Sequence, residues 1–243
     1  MDPKGKVALI TGGARIGQAV ALSLAARGCA LALTWRNSRA AAESTAAAAR
    51  EAGVAATLIR ADVSDEAQIK AAVDETMRAM GRLDILVNLA SSYDRTPHPS
   101  AADWAAAMEA NARSAFLFAA YAAPIMKNAG AGRIVNCADW LPASGRPRYR
   151  DYVPYYTSKA AVIGLTESLA LDWAPEILVN AVAPGPIVPP ADITAEEHAQ
   201  VLKATPLGRW GGAEEVAKAV LFLIETEFIT GECIRVDGGR HLN

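Results

Sequence analysis

The chain has no apolar stretch long enough to cross a bilayer. The run from Ala115 to Met126 is interrupted by Pro124 and falls short of the roughly 20 residues that a spanning helix needs. Its opening, Met1-Asp2-Pro3-Lys4-Gly5-Lys6, lacks the apolar core of a secretory signal. Charge of one sign is also missing. The 24 Lys+Arg against 26 Asp+Glu leave a net charge of -2, which disfavours nucleic acid and anionic membranes as partners. Cysteine is scarce and odd in number: Cys29, Cys137 and Cys233 lie far apart in apolar runs. That usage predicts reduced core thiols in a cytoplasmic protein. His98, His198 and His241 show no metal-ligand spacing with the cysteines, so no metal is expected. No repeat is visible, no Pro/Gly-rich linker divides the chain, and the alanine enrichment of 40–49 reads as helix.

What is present is an alternation. Short β-type runs at Val7–Ile10, Ala30–Thr34, Ala56–Ile59, Ile85–Asn88, Arg133–Cys137, Val179–Val182 and Cys233–Val236 are separated by helical spacing. The helical stretches are Gly17–Arg27, Arg39–Ala52, Asp65–Met80, Ala101–Lys127, Tyr155–Trp173 and Ala213–Ile224. Strand, helix, strand repeated in this way requires parallel pairing through crossovers. The 243 residues therefore predict a single α/β domain: a Rossmann-type, doubly wound parallel sheet of about seven strands with helices on both faces. Residues 1–140 are expected to hold mainly the cofactor-binding part and 139–243 the catalytic and substrate-loop part. The irregular stretch Pro184 to Ala191 reads as an active-site loop.

Such sheets bind ligands beyond the carboxyl ends of their strands. The first predicted strand ends in Thr11-Gly12-Gly13-Ala14-Arg15-Ile16-Gly17 and enters an apolar helix. Glycine there permits close backbone approach to a pyrophosphate, and the helix N-terminus attracts its charge; a plain structural turn reads the same way. Farther on, Tyr155-Tyr156-Thr157-Ser158-Lys159 places Tyr155 and Lys159 on one helix face. A lysine there can lower the phenol's pKa and suit it to proton donation, although such a pair can also be a solvated surface feature. Asp139 ends an apolar strand upstream. It reads either as a turn cap or as a carboxyl whose pKa is raised by burial.

Together these residues resemble the short-chain dehydrogenase/reductases. Thr11 to Gly17, Asp62-Val63, Asn88-Leu89-Ala90, Asn111, Tyr155 to Lys159, Pro184-Gly185 and Val236-Asp237-Gly238-Gly239 fall in that family's order over nearly the whole chain. Two departures stand out. The glycine-rich loop is one residue shorter than the family's and lacks its middle glycine, and Asp139 stands where the family places a serine. Asp139, the segment Ala90-Ser91-Ser92-Tyr93 and the ending Gly238-Gly239-Arg240-His241-Leu242 are similar to the pteridine reductases.

The resemblance implies the roles. Tyr155 would supply the proton, Lys159 would tune it and bind the nicotinamide ribose, Asn111 would hold a relay water, and Asp139 would replace the serine. Gly12, Arg15, Ile16 and Gly17 would meet the pyrophosphate side, and Asp62 and Val63 the adenine. Asn88 and Ala90 would border the cofactor, while Pro184, Gly185 and Ile187 would line the nicotinamide side. Ser91, Tyr93, Asp139 and Tyr155 would contact substrate, with the Tyr93 ring covering a pterin. The end of the second predicted strand carries no acid but Arg36, Asn37 and Ser38. With Arg15 near, two guanidiniums suit a 2′-phosphate, hence NADPH/NADP. The expected activity is reduction of a dihydropterin or dihydrofolate. The alternatives are a 3-oxoacyl-carrier-protein or other ketone reductase, and a catalytically silent NADP-binding regulator. The three arginines of Arg146-Pro147-Arg148-Tyr149-Arg150-Asp151 read as a solvated charge run or as partners of an acidic substrate tail. The family resemblance also implies a homotetramer packed through Ala101–Lys127 and Tyr155–Trp173, where Ala160 and Ala161 permit close approach.

Overall fold

The computed structural model describes all 243 residues. One sheet of seven parallel strands has the order β3-β2-β1-β4-β5-β6-β7. The strands are β1 (Val7–Thr11), β2 (Ala30–Trp35), β3 (Ala56–Arg60), β4 (Ile85–Asn88), β5 (Gly132–Cys137), β6 (Ile177–Pro184) and β7 (Cys233–Val236). The helices are α1 (Ile16–Ala25), α2 (Arg39–Glu51), α3 (Glu66–Met80), α4 (Ala101–Ala107), α5 (Ser114–Asn128), α6 (Trp140–Ala143), α7 (Val153–Trp173), α8 (Ala195–Lys203) and α9 (Ala213–Glu225).

The strand side chains alternate between two apolar layers. Ala8 and Ile10 join Leu31 and Leu33 on one face, packed with Val20 and Leu24 of α1 and Val216 and Val220 of α9. Leu9 points the other way, joining Leu86, Ile134 and Val179 against Ile69 and Val73 of α3 and Phe118 and Met126 of α5. Burial on both faces explains why the strands read as nearly continuous apolar runs. The sheet grows outward from β1 to β3, then resumes on β1's other edge with β4. That reversal opens a crevice at the carboxyl ends of β1 and β4.

All seven expected strands are present, with β6 longer at both ends. The single helix expected over Ala101–Lys127 is broken: α4 passes through a π-helical turn, Met108–Arg113, before α5 begins. Three elements have no counterpart among the expected helices. One is α6, a single turn capped by Asp139, whose side chain accepts from Leu141 N. Another is α8, opened by a reciprocal capping box between Thr194 and Glu197; Thr-x-x-Glu is legible as a start signal. The last is a closing 3-10 turn, Arg240–Leu242. The three thiols are free, but only Cys29 is buried in the core. Burial pushes the thiols of Cys29 and Cys233 up to about 12. No helix is long and apolar enough to cross a membrane.

Candidate active site

A cleft of about 670 Å³ lies at the β1–β4 switch point. One wall is the glycine-rich turn. Gly12 has φ 76, and a Cβ added there would lie 2.9 Å from Ala90 N; a Cβ on Gly17 would lie 2.0 Å from Gly12 O. Backbone packs directly on backbone, so these positions admit no side chain. In this shorter loop Arg15 takes φ 54, ψ -108 at the N-cap of α1. That conformation is costly for any residue with a Cβ. No side chain caps α1, which leaves the positive end of the helix facing the cleft for an anion. Gly12, Arg15, Ile16 and Gly17 all line the cleft.

Arg36, Asn37, Ser38 and Val63 line its far end. Asp62 does not. Its carboxylate accepts from Ser64 N at 3.0 Å and Ser64 Oγ at 2.7 Å and faces Arg36 Nη1 at 3.4 Å. Those Ser64 bonds, followed by the Arg36 charge, hold Asp62 below the usual carboxylate range. Asn88 lies beneath the floor of the cleft. Its Nδ2 donates to Asn136 Oδ1 at 2.9 Å, and Asn136 in turn donates to Thr166 Oγ1 at 3.0 Å, tying β4 and β5 to α7. Ala90 lines the cleft, its N–H bonded to Thr11 Oγ1 at 3.1 Å.

At the other end Tyr155 Oη donates to Asp139 Oδ2 at 2.8 Å, while Asp139 Oδ1 accepts from Leu141 N at 2.8 Å. Burial pushes the Asp139 carboxyl up, against the opposing pull of the Leu141 N–H, the Tyr155 hydroxyl and the Lys159 charge. The upward shift expected from the sequence is therefore present. The lowered phenol is not. Burial first and the Asp139 carboxyl second raise Tyr155 well above its ordinary range, and Lys159 Nζ donates to Cys137 O at 2.7 Å. In this state Tyr155 is a held proton donor.

Asn111 is held from two sides. Its Oδ1 accepts from Ser92 N at 2.9 Å, and its Nδ2 donates to Ser158 Oγ at 2.8 Å and Ser92 O at 3.2 Å. Both ends of the carboxamide are engaged, and the side chain braces the loop after β4 against α7. Ser91 and Tyr93 line the cleft. Tyr93 stacks on Tyr152 with centroids 4.9 Å apart and meets the Tyr155 ring edge-on at 4.7 Å. The sequence reading missed Tyr152, although its signal was visible: four tyrosines, Tyr149, Tyr152, Tyr155 and Tyr156, within eight residues. Pro184, Gly185 and Ile187 line the facing wall, and a Cβ on Gly185 would lie 2.6 Å from Asp237 Cβ. Cys137 lines the cleft as well.

The insertion before α7 is only partly solvated. Arg146 and Arg150 are exposed. Arg148 instead lies over the Trp140 ring at 5.7 Å and donates to His241 O at 3.0 Å. Asp151 closes the insertion against the loop after β4, its carboxylate accepting from Arg95 at 2.6 Å and its carbonyl from Thr96 N at 2.6 Å.

Comparison with known proteins agrees with this architecture. The family model described as Enoyl-(Acyl carrier protein) reductase matches residues 13–241. A 3-oxoacyl-[acyl-carrier-protein] reductase of Staphylococcus aureus is 35% identical over 247 residues, covering 98% of each chain. A solved short-chain dehydrogenase/reductase from Serratia marcescens superposes with a TM-score of 0.91 at 34% identity, covering 99% of this chain and 100% of that one. A 7α-hydroxysteroid dehydrogenase solved with NADH and 7-oxo glycochenodeoxycholic acid gives a TM-score of 0.92 at 31% identity, over 98% and 94% of the two chains. Fold, motif order and sequence identity over almost the full length agree: the chain belongs to the short-chain dehydrogenase/reductase family.

Proposed function

We propose that the chain is an NADPH-dependent carbonyl reductase acting on a 3-oxoacyl thioester or another ketone. The observation that carries the reductase part of the reading is the 2.8 Å Tyr155–Asp139 hydrogen bond at one end of a cleft suited to a dinucleotide. The residues fit the cofactor: Gly12 and Gly17 are cradle positions that a Cβ would fill, and α1 presents an uncapped N-terminus. Where β2 ends without an acid, the exposed guanidiniums of Arg36, paired with Asp62, and Arg15, bonded to Val188 O, would turn to a 2′-phosphate. A reduced nicotinamide supplies a hydride when bound there.

The protein's own residues then manage the proton. A phenol kept protonated by burial and a neighbouring carboxyl is suited to donate to an oxygen as negative charge develops on it. Asp139, shifted toward its neutral form by burial, can offer a second donor in the place of a serine hydroxyl. The Lys159–Cys137 O bond holds the ammonium one helical turn beyond Tyr155, where it would bind a ribose hydroxyl of the cofactor. The ketone reading is supported by relatives at 35% identity that are named as 3-oxoacyl reductases.

Reduction of a pterin, the activity expected from the sequence, is the second reading. A specific feature favours it: a carboxyl beside the tyrosine, facing the Tyr93–Tyr152 stack. This arrangement suits a flat heteroaromatic C=N bond, whose reduction needs a proton on nitrogen. NADPH oxidation measured in parallel with an acetoacetyl thioester, dihydrobiopterin and dihydrofolate decides between them. Turnover of the thioester alone supports the ketone assignment, and turnover of the pterins alone replaces it. Cofactor binding without oxidation by any member would favour the silent regulator.

A further inference from the structure

The insertion that lengthens the Asp139-to-Tyr155 interval has no part in the chemistry above. Arg148 faces inward and lies over Trp140, which Arg240 covers as well at 5.8 Å. Arg240 also donates to Tyr149 Oη at 3.3 Å, and Arg148 to His241 O at 3.0 Å. The closing turn of the chain thus clamps the insertion onto the residue that follows Asp139. From there a run of rings leads back to the site: Tyr149 lies 6.4 Å from Tyr152, Tyr152 stacks on Tyr93, and Tyr93 lines the cleft.

The charge of this platform is uncompensated. Arg146, Arg148, Arg150 and Arg240 form no ion pair, and the one acid of the insertion, Asp151, is taken by Arg95. Arg148 Nε is buried with no hydrogen-bond partner. Such an orphaned cationic donor is costly, and proteins seldom keep one without a use. Arg146 and Arg150, two residues to either side of Arg148, are exposed with their forks unspent.

From this arrangement we propose that Arg146, Arg148 and Arg150, backed by Arg240, form an anion subsite at the rim of the substrate end, which receives a carboxylate or phosphate carried by the substrate far from its reducible bond. The subsite rests on the reductase reading for its role and on the arginine platform for its existence. Planar guanidiniums engage either oxyanion in pairs. The subsite selects among substrates by affinity and leaves the reacting centre to Tyr155 and Asp139.

Two measurements test it, one of them independent of turnover. In the first, the protein saturated with NADP is titrated with inorganic pyrophosphate, followed by calorimetry. Saturable binding that weakens at least tenfold in Arg146→Gln/Arg150→Gln is expected. Absence of binding, or binding unchanged in the double variant, overturns the subsite. In the second, kcat/KM is compared for charged and uncharged partners: acetoacetyl-coenzyme A with acetoacetyl-N-acetylcysteamine, and dihydrofolate with dihydrobiopterin. The charged-to-uncharged ratio should fall about fivefold per arginine removed, through KM, and shrink with added salt. A ratio that the double variant leaves unmoved overturns the substrate role. If no member of either pair is reduced while pyrophosphate binding behaves as expected, the reductase reading fails and the anion site stands. Arg148→Met tests the clamp separately, because loss of thermal stability there with normal pyrophosphate binding would assign Arg148 to structure and remove it from the subsite.

Discussion

Replacing Arg15 by glycine should move stability and cofactor affinity in opposite directions. Arg15 holds φ 54, ψ -108, a conformation that costs a residue with a Cβ about 1–3 kcal/mol. Glycine removes that cost and returns about 0.5–1 kcal/mol through the greater freedom of the unfolded chain. The lost Arg15 Nη2 to Val188 O bond is 3.4 Å long and exposed, so it counts for little. The net is a gain of about 0–2.5 kcal/mol, which for a chain of this size raises Tm by up to about 5–10 °C. In the NADPH reading, however, the cofactor would lose a guanidinium that meets its 2′-phosphate. A charge-assisted contact is worth about 1.5–3 kcal/mol, and because Arg15 is exposed the lower end applies, or about tenfold in Kd. Thermal melts of the cofactor-free protein and fluorescence titrations with NADPH and NADH read the two effects. A lower Tm would refute the strain argument. An equal loss of affinity for both cofactors would refute the phosphate contact.

Gly17→Ala places a Cβ 2.0 Å from Gly12 O; overpacking against backbone should cost about 1–3 kcal/mol or more and abolish measurable NADPH binding, and a variant that binds normally would show that the turn is not the cradle. Tyr155→Phe keeps the ring packing and removes the donor, so turnover should fall roughly 10²–10⁴-fold with little change in Tm; near-normal activity would place the proton source elsewhere. Asp139→Asn should be more stable than the parent at neutral pH, by a margin that grows with pH. The folded carboxyl's pKa lies above its ordinary 3.8, so its contribution is full below that value and is lost as pH rises through the raised one. Denaturant midpoints between about pH 4 and pH 8 check the trend, and a margin that shrinks with pH contradicts it.

The sheet was legible because burial on both faces writes the central strands as apolar runs bounded by polar punctuation, as at Val7–Thr11 and Ile85–Asn88. Helix interruptions were not. The π turn at Met108–Arg113, Met-Glu-Ala-Asn-Ala-Arg, carries no glycine or proline to mark a break. The residues of the site were legible as types and in order, but not in their aim. Asn88, through Nδ2, and Asn111, through both ends of its carboxamide, turn inward to tie elements together, and nothing local to either residue announces that. Arg148 misled for a similar reason: within a charged hexapeptide it reads as solvated, yet Trp140, eight residues earlier, offers a ring face for its guanidinium. The Tyr155 shift was misread in sign because Tyr-x-x-x-Lys proposes a partner four residues away, whereas burial and a carboxyl sixteen residues upstream outweigh it.

Asp139 couples these levels, and Asp139→Ser separates them. Serine is as good an N-cap as aspartate, so it should keep the bond to Leu141 N that opens α6, and with α6 the Trp140 platform under Arg148 and Arg240. What serine removes is the carboxyl 2.8 Å from the Tyr155 hydroxyl and the negative charge it carries once it ionises as pH rises. That charge is the second cause, after burial, of the raised phenol, so its loss should bring the phenol back down. Reduction needs the protonated phenol and fails as pH rises through its pKa, so the alkaline limb of kcat/KM should move to lower pH in the variant. If the substrate is a ketone, the serine hydroxyl still donates to the carbonyl oxygen and turnover at neutral pH survives. If it is a pterin, the nitrogen loses its carboxyl relay and turnover collapses. A single variant therefore reads both the electrostatics and the substrate class. An alkaline limb that stays in place with a ketone still turned over would mean that Tyr155 titrates independently of Asp139, and the 2.8 Å hydrogen bond would then be structural only.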